Sequence, residues 1–139
     1  MNDSMESEGD RYDITSEIGA DDAVSVQSFA VYIPNKTLNG REFGNQRAWV
    51  LEALELLGRI NGGATAMPPV EGTWLNDLGN LISENPVVVY SYIKDPDVFE
   101  TNLPTVREFL HRMGRETDQG EVAVEFDGRF YRIRRFDSE

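Results

Sequence analysis

The stretch at residues 85–93, NPVVVYSYI, places the strongest constraint on how this chain can fold. Three consecutive valines precede Tyr90, Tyr92 and Ile93, so apolar side chains occur on both faces of an extended segment. Strands with apolar residues on both faces are typical of sheet positions that are covered on both sides. We therefore predict that this stretch forms the central strand of a β-sheet.

A strand and a helix are predicted before this stretch. Residues 25–33 alternate apolar with smaller or polar side chains, which predicts a first strand that ends at Pro34. Asn45 is a suitable N-cap for a helix that should end at the Asn-Gly-Gly sequence of residues 61–63. The apolar stripe of that helix consists of Val50, Leu51, Leu54, Leu57 and Ile60.

The segment between this helix and the valine-rich stretch predicts a broken strand. Residues 64–75 are interrupted by Pro68 and Pro69, and proline cannot donate a ladder hydrogen bond. We therefore place this strand at a sheet edge. After a turn at residues 76–80, a long strand should run from residue 81 to residue 93.

The C-terminal third predicts a second helix followed by a hairpin. Thr101 or Asn102 can cap the helix, with Pro104 near its first turn. The helical period is carried by Val106, Phe109, Leu110 and Met113. The Asp127-Gly128 pair then predicts a two-residue hairpin turn. That turn pairs Phe126 with Arg129, Val124 with Tyr131, and Val122 with Ile133.

These segments together predict a β-α-β-β-α-β order with one additional C-terminal hairpin strand. Two β-α-β halves with both helices on one face of a mainly antiparallel sheet form the ferredoxin-like α+β sandwich. Residues 25–139 should form this single domain. Residues 1–24 hold eight acids, one base and few apolar side chains, which predicts a disordered acidic leader.

The runs EGTW, LISENPVVVYSYI and LHRMGRETDQGEVAVEFDGRFYRI resemble those of small, uncharacterised single-domain proteins of prokaryotes. The resemblance covers roughly residues 26–135 and leaves out the acidic leader. It implies a compact α+β domain of ferredoxin-like pattern, and it assigns no role to any residue.

Composition narrows the cellular context. The chain has no cysteine, which excludes disulfides, a thiol nucleophile and a thiolate zinc site. No apolar run approaches the ~18 residues of a membrane span, and the acidic first residues are unsuited to a secretory signal. We expect a cytoplasmic protein without membrane association. No cofactor-binding motif is present, so no cofactor is predicted.

The charge balance favours an environment of concentrated salt. The chain has 25 acids against 13 bases for a net charge of −12, and Lys36 and Lys94 are its only lysines. Carboxylates hold hydration in salt, where their mutual repulsion is screened. A GC-rich genome is the alternative explanation, since it also favours arginine codons. In either case the charge argues against nucleic-acid binding, which requires a basic surface.

If both helices cover one face of the sheet, the other face stays open. Phe29, Val31, Val122 and Val124 should face the helices. The open face should carry Tyr32, Tyr90, Tyr92, Glu121, Glu125, Arg132 and Arg134. Exposed tyrosines and arginines are favoured at contact surfaces. The occupant could be a second copy of the chain, a small ligand, or a single nucleic-acid strand stacked on the tyrosines.

Several residues could carry acid-base chemistry. The candidates are Glu84, Tyr92, His111 and Arg132, around a groove between the sheet and the loop at residues 34–45. Because His111 is the only histidine, a multi-histidine metal site is excluded, and we expect it on the surface or flank of its helix. Glu121 and Glu125 should form cross-strand ion pairs with the arginines of the hairpin.

These observations lead to three function hypotheses of different classes. The first is a cytoplasmic, non-enzymatic interaction domain that forms a homodimer through the open face, with Tyr32, Tyr90, Tyr92, Arg132 and Arg134 as contact residues. The alternative is a small cofactor-independent or metal-assisted enzyme with its site at the groove beside residues 34–45. A single-stranded nucleic-acid binder is a second alternative.

The salt interpretation leads to the first testable prediction. The Debye length falls from ~10 Å at 0.1 M salt to ~3 Å at 1 M, so charge repulsion should largely vanish in molar KCl. The melting temperature should therefore rise with KCl beyond about 0.5 M. Deleting residues 1–24 removes a local charge of −7 and should weaken this salt dependence without harming the fold. Equal melting temperatures in dilute and molar KCl would rule out salt adaptation.

Overall fold

The computed structural model describes residues 13–24 and 27–138. Within these residues the helices are α1 (Thr15–Ile18), α2 (Gln46–Asn61), α3 (Pro96–Thr101) and α4 (Leu103–Glu116). The strands are β1 (Ser28–Ile33), β2 (Thr65–Ala66), β3 (Gly72–Leu75), β4 (Leu81–Glu84), β5 (Val87–Tyr92), β6 (Val122–Phe126) and β7 (Arg129–Ile133). None of these helices is both long enough and apolar enough to cross a membrane.

The strands form a five-stranded sheet in the order β2-β5-β1-β6-β7, and β3 pairs with β4 in a separate two-stranded sheet. Every paired neighbour is antiparallel. Without the edge strand β7 and the β3-β4 hairpin, this is the strand order of a β-α-β-β-α-β sandwich. The predicted ferredoxin-like α+β fold is confirmed, including the added C-terminal strand.

The core lies between one face of the sheet and the helices. Phe29, Val31 and Ile33 alternate along β1 as buried residues, and Val122 and Val124 do the same on β6. Helix α2 packs on β1 and β5, while α4 packs on β6. This confirms the predicted helix-facing side. Trp49 from α2 meets Phe109 from α4 with ring centroids 5.9 Å apart, which joins the two helices within the same core.

The C-terminal hairpin has the predicted register. Phe126 pairs with Arg129, Val124 with Tyr131, and Val122 with Ile133. Asp127 and Gly128 both have positive φ, at 55° and 80°, as a two-residue turn of this type requires. The local turn chemistry therefore fixes which side chains of β7 face the helices.

Two expectations about the valine-rich stretch are wrong. The central strand of the sheet is β1, and β5 lies between β1 and the two-residue edge strand β2. The long strand predicted for residues 81–93 is split into β4 and β5 at Asn85-Pro86. Asn85 leaves the ladder because its backbone N–H donates to Asn35 Oδ1 at 2.8 Å, and its carbonyl accepts from Gln46 Nε2 at 2.9 Å. Proline supplies no N–H to restore the ladder.

The broken strand at residues 64–75 is confirmed only at its start. Thr65 and Ala66 pair with β5 at the sheet edge, as expected for a segment that precedes two prolines. Residues 72–75 pair instead with β4, in the separate hairpin. The chain stays beside β5 between these parts, because Met67 N donates to Val88 O at 2.9 Å and Val70 N donates to Pro86 O at 3.0 Å.

The helices differ from the sequence expectation in two places. Helix α3 was not predicted, and its N-cap is Asp95, whose carboxylate accepts from Asp97 N and Val98 N. In α2, Leu51 is 50% exposed although it was placed on the apolar stripe. The buried positions of α2 are Trp49, Val50, Ala53, Leu57 and Asn61. The stripe is rotated because Trp49, preceding it, packs into the core.

Only part of the predicted acidic leader is described. Residues 13–24 contain the single-turn helix α1, none of whose residues is buried. Residues 1–12 lie outside the described part, as do residues 25–26, where the first strand was expected to begin. The division into a leader and a single domain stays a prediction.

Residues 134–138, called the C-terminal segment, fold back from β7 onto α4. Asp137 N donates to His111 Nδ1 at 2.7 Å, and Arg107 donates to both carboxylate oxygens of Asp137 at 2.7 and 2.9 Å. The ring of Phe136 lies against Gly114 and 6.0 Å from the ring of His111. The expectation of a surface histidine is wrong, because this segment leaves His111 only 6% exposed.

The packing of Phe136 on α4 depends on the missing side chain at Gly114. A Cβ at this position would overlap the Phe136 ring. Gly114→Ala should therefore lower the free energy of unfolding by about 1–3 kcal/mol, as overpacking usually does. Chemical denaturation of both proteins measures this difference.

Gly58 in α2 is a matched control, since a Cβ there meets nothing within 4 Å. Gly58→Ala should raise stability by about 0.5–1 kcal/mol through helix propensity alone. Phe136→Ala should remove most of the additional cost of Gly114→Ala in the double variant. If Gly114→Ala is as stable as Gly58→Ala, the packing of the Phe136 ring does not depend on the missing side chain at residue 114.

Candidate functional site

A cavity that could hold a ligand lies at one end of the helix-covered face. It has a volume of about 630 Å³, between the ends of β1, β6 and β7 and the helices α3 and α4. Ligand pockets commonly have volumes of roughly 300–1,000 Å³, mostly apolar walls and a few polar groups. The aromatic residues of its wall are Phe29, Phe99, Phe126 and Tyr131.

The aromatic wall is held rigidly by mutual packing. The ring of Phe99 lies 5.4 Å from that of Phe29 at an angle of 55°, and 5.7 Å from that of Phe126, nearly parallel. Phe29 and Phe99 are buried, whereas Tyr131 is 43% exposed. Pro96 begins α3 next to its Asp95 cap, so the start of α3 fixes the position of Phe99. The wall is therefore preformed around an accessible tyrosine.

Three polar groups line this apolar cavity. They belong to Gln27, Glu100 and Tyr131. Glu100 projects from α3, and no described residue forms a hydrogen bond or ion pair with its carboxylate. A carboxylate beside an aromatic wall can bind a cationic ligand by direct attraction, and the ring faces add cation–π attraction. The site is thus suited to a ligand with a flat aromatic part and a positive charge.

The open face of the sheet carries the predicted aromatic residues. Tyr90 and Tyr92 contact each other edge to face at 6.1 Å, and Tyr32 meets Phe130 at 6.3 Å. Tyr92 is 59% exposed and Phe130 is 56% exposed. Arg132 lies on this face opposite Ala123 on β6. The three tyrosines therefore share one surface, and Arg132 and Arg134 lie at its edge on β7, where they also line a second cavity beside α4.

The four predicted catalytic residues do not converge. Glu84 belongs to the separate β3-β4 hairpin, whereas Tyr92 lies at the far end of β5. Burial raises the pKa of Glu84, and the nearby Lys36 partly opposes that shift. His111 and Arg132 do line a common cavity, a second one beside the C-terminal segment. Of the four predicted catalytic residues, only Glu84 lies near the loop at residues 34–45, where Lys36 is a neighbouring charge.

The predicted ion pairs of the hairpin form only in part. Arg134 Nε donates to Glu121 Oε1 at 3.3 Å, as the register predicted. Glu125 instead accepts a hydrogen bond from the hydroxyl of Tyr32 on β1. The expected pairing of Glu125 with an arginine is therefore wrong, because the neighbouring central strand supplies a competing donor. Arg132 has no ion pair with any described residue.

Among the described residues, no three acids or histidines lie close enough together to hold a metal ion. The residues of the aromatic cavity were not identified as a site from sequence. Phe29, Phe99 and Phe126 look like core aromatics, and Glu100 is one of 25 acids. The one usable signal was the Asp95-Pro96 helix start, which places Phe99 and Glu100 on adjacent positions of a short helix.

No protein-family profile matches the sequence, and no characterised protein matches it by sequence comparison. Two solved structures of a phage SAM lyase share the fold. The complex with S-methyl-5'-thioadenosine has a TM-score of 0.59 and 15% identity, covering 78% of this chain and 89% of that chain. The apo enzyme has a TM-score of 0.57 and 17% identity, covering 81% and 92%. At these identities the likeness establishes a shared fold.

This comparison corrects the leading function hypothesis. The expectation of a non-enzymatic interaction domain is contradicted, because the solved structures that share nearly the whole fold belong to an enzyme. The enzyme alternative accords better with these neighbours. The resemblance to small prokaryotic proteins is not tested by the comparison and stays a prediction.

The hydrogen bond between Tyr32 and Glu125 gives a prediction about pH. This bond, with smaller contributions from burial and the negative charge of Glu125, raises the pKa of Tyr32 from 10.0 to about 12. Because the folded state holds the proton more tightly, the stabilisation is complete below pH 10.0 and is lost as the pH rises to about 12. Titration of ring-labelled tyrosine by carbon NMR should show one resonance with this raised pKa.

Glu125→Gln should return the pKa of Tyr32 towards its ordinary value, because the charged acceptor is gone. Glu121→Gln is the control, since Glu121 bonds to Arg134 and not to Tyr32. A Tyr32 titration that is unchanged in Glu125→Gln would show that the bond does not exist in solution.

Proposed function

We propose that this protein is a lyase acting on S-adenosylmethionine, the sulfonium compound abbreviated SAM, and that its site is the aromatic cavity beside α3. The observation that carries the proposal is the combination of an aromatic, apolar cavity of about 630 Å³ with the carboxylate of Glu100 on its wall. The shared fold with a phage SAM lyase supports it, including the structure that holds S-methyl-5'-thioadenosine.

The adenosine part of such a substrate suits the aromatic wall. A purine ring is flat and gains affinity by stacking on aromatic side chains, by roughly 1–3 kcal/mol for each stacked base. Tyr131 offers the exposed ring at the cavity, and Phe126 lies beside it within the same lining. The Tyr131 hydroxyl is a polar group of the same lining that can bond to purine or ribose atoms.

The sulfonium part suits Glu100. A positive sulfur placed near this carboxylate is attracted to it, and because Glu100 is exposed, water screens part of this attraction. The overall charge of −12 also favours approach of a cation over approach of an anion. Glu100 thus contributes to binding the substrate in its charged form.

The chemistry requires little acid-base assistance. The bond from sulfur to the methionyl side-chain carbon breaks, and its electron pair stays on sulfur to give S-methyl-5'-thioadenosine. The substrate's own carboxylate oxygen bonds to that carbon and closes a lactone, so the two products account for all atoms and no water or base is consumed. The sulfonium becomes a neutral thioether, so the leaving group needs no proton. An apolar wall destabilises the sulfonium relative to the neutral product, which favours cleavage. The protein then contributes by orienting the substrate, by excluding water, and by providing a low-dielectric site in which the sulfur loses its charge.

The test is an assay for S-methyl-5'-thioadenosine released from SAM, with the cavity carboxylate altered. Glu100→Gln should raise KM for SAM by roughly 2- to 5-fold, which corresponds to the ~0.5–1 kcal/mol of an ion pair at an exposed carboxylate. The value of kcat should not fall, because the carboxylate stabilises the charged ground state more than the transition state, in which that charge is being lost. Glu116→Gln, on the exposed end of α4 and away from the cavity, should leave both constants unchanged.

A second pair of variants locates the adenosine site. Tyr131→Ser should weaken binding of S-methyl-5'-thioadenosine measured by calorimetry, because the exposed ring of the cavity is removed. Phe130→Ser changes the neighbouring residue of β7, which points to the open sheet face, and should not affect binding. If wild-type protein neither binds this compound nor consumes SAM, the proposed function is overturned.

We also propose a cytoplasmic location and assembly into a homo-oligomer, expected as a dimer. The exposed rings of Tyr92 and Phe130 on an uncovered sheet face support the second part, since large exposed aromatic patches mark interaction surfaces. Sedimentation in high salt measures the assembly state. We also propose adaptation to concentrated salt, which the series of melting temperatures in KCl tests.

A further inference from the structure

A second cavity lies on the other side of Ile133 from the aromatic one. It has a volume of about 520 Å³, and it is bounded by α4, the end of β7 and the C-terminal segment. Its lining consists of Arg107, His111, Arg132, Ile133, Arg134 and Arg135. The two cavities share only Ile133, so they are separate sites with a common wall.

The arginines of this cavity are only partly neutralised. Arg107 donates twice to Asp137, and Arg134 donates once to Glu121. Neither Arg132 nor Arg135 forms a hydrogen bond or ion pair with any described residue. Glu125, the acid that the register offered to Arg132, bonds to Tyr32 instead. Two guanidinium groups are therefore available to a ligand.

His111 adds a donor to the same wall. Its Nδ1 accepts the hydrogen bond from Asp137 N, so in the neutral ring Nε2 carries the hydrogen. No described residue accepts a hydrogen bond from Nε2. The side chains of this lining thus include four guanidinium groups and no carboxylate, and the neighbouring carboxylates of Asp137 and Glu121 already bond to Arg107 and Arg134.

A concentration of cations is exceptional in this chain. Four of its 13 basic residues line one small cavity, although the chain carries a net charge of −12. Guanidinium groups repel one another, and a bound anion would relieve that repulsion while accepting paired N–H bonds. We propose that this cavity, called the arginine cavity, binds a small anion that bears a phosphate group.

The volume of the arginine cavity and the net charge of the protein favour a small ligand over a polymer. A volume of about 520 Å³ accommodates inorganic phosphate, pyrophosphate or one phosphorylated metabolite. A nucleic-acid strand would bring many further charges towards a protein that is acidic elsewhere, and this opposes binding. The phosphate chemistry is common to free phosphate and to phosphate esters, and the experiment separates these sources.

The test measures binding to the full-length protein at about pH 8, where a phosphate group is mainly dianionic. At constant ionic strength, inorganic phosphate and pyrophosphate should raise the melting temperature relative to chloride, because a ligand of the folded state stabilises it. Calorimetry with pyrophosphate and with a sugar phosphate shows whether the esterified group binds more tightly than the free ion.

The variant Arg132→Gln/Arg135→Gln should lose affinity for pyrophosphate by at least about tenfold, since two charge-assisted contacts are removed. It should fold normally, because neither side chain has a partner among the described residues. Arg129→Gln, on the same strand but outside the cavity, is the matched control and should keep its affinity within about twofold.

Three results would overturn the inference. One is equal pyrophosphate affinity in wild type and in the double variant. Another is an equal loss in Arg129→Gln, which would indicate general charge screening. The third is tighter binding of a short single-stranded oligonucleotide than of pyrophosphate. Because the assay uses neither SAM nor its product, each result is independent of the proposed lyase activity.

Discussion

The structure depends on the burial of one face of β1 between two strand neighbours. Phe29, Val31 and Ile33 are almost inaccessible, and β1 pairs with β5 on one side and β6 on the other. This buried face must be covered: α2 packs on β1 and β5, and α4 packs beside it on β6. The arrangement brings the ends of β1, β6 and β7 to the start of α3. The aromatic cavity is thus a consequence of how the core ends.

Local chemistry made parts of this fold predictable. The hairpin register follows from two turn residues and strict alternation, and the apolar spacing in α4 follows from one helical period. The division of residues 81–93 could not be predicted in this way. It depends on the hydrogen bond that Asn85 donates to Asn35 and the one that it accepts from Gln46, residues some 40–50 positions away in sequence. Distant partners such as these override the β-propensity of the valines and isoleucines.

The candidate site was less predictable than the fold because its residues come from separate elements. Phe29, Phe99 and Phe126 each satisfy a pattern of core packing, and only their convergence at one end of the core creates a ligand wall. Cross-strand reasoning correctly paired Arg134 with Glu121. It failed for Glu125, because a residue on a third strand, Tyr32, competes for the same carboxylate. Pairwise register rules omit such third partners.

The two cavities differ in charge although one residue, Ile133, separates them. The distribution of nearby groups explains this better than the net charge does. At ~0.15 M salt the Debye length is ~8 Å, so a ligand inside either cavity responds mainly to the charges that line it. The carboxylate of Glu100 makes the lining of the aromatic cavity negative, and the guanidinium groups of Arg132 and Arg135 make the lining of the arginine cavity positive. The C-terminal segment maintains this difference, because Asp137 holds Arg107 and His111 in place while Phe136 fills the notch at Gly114. An acidic chain thus places a wall with a carboxylate and a wall rich in arginine on the two sides of Ile133.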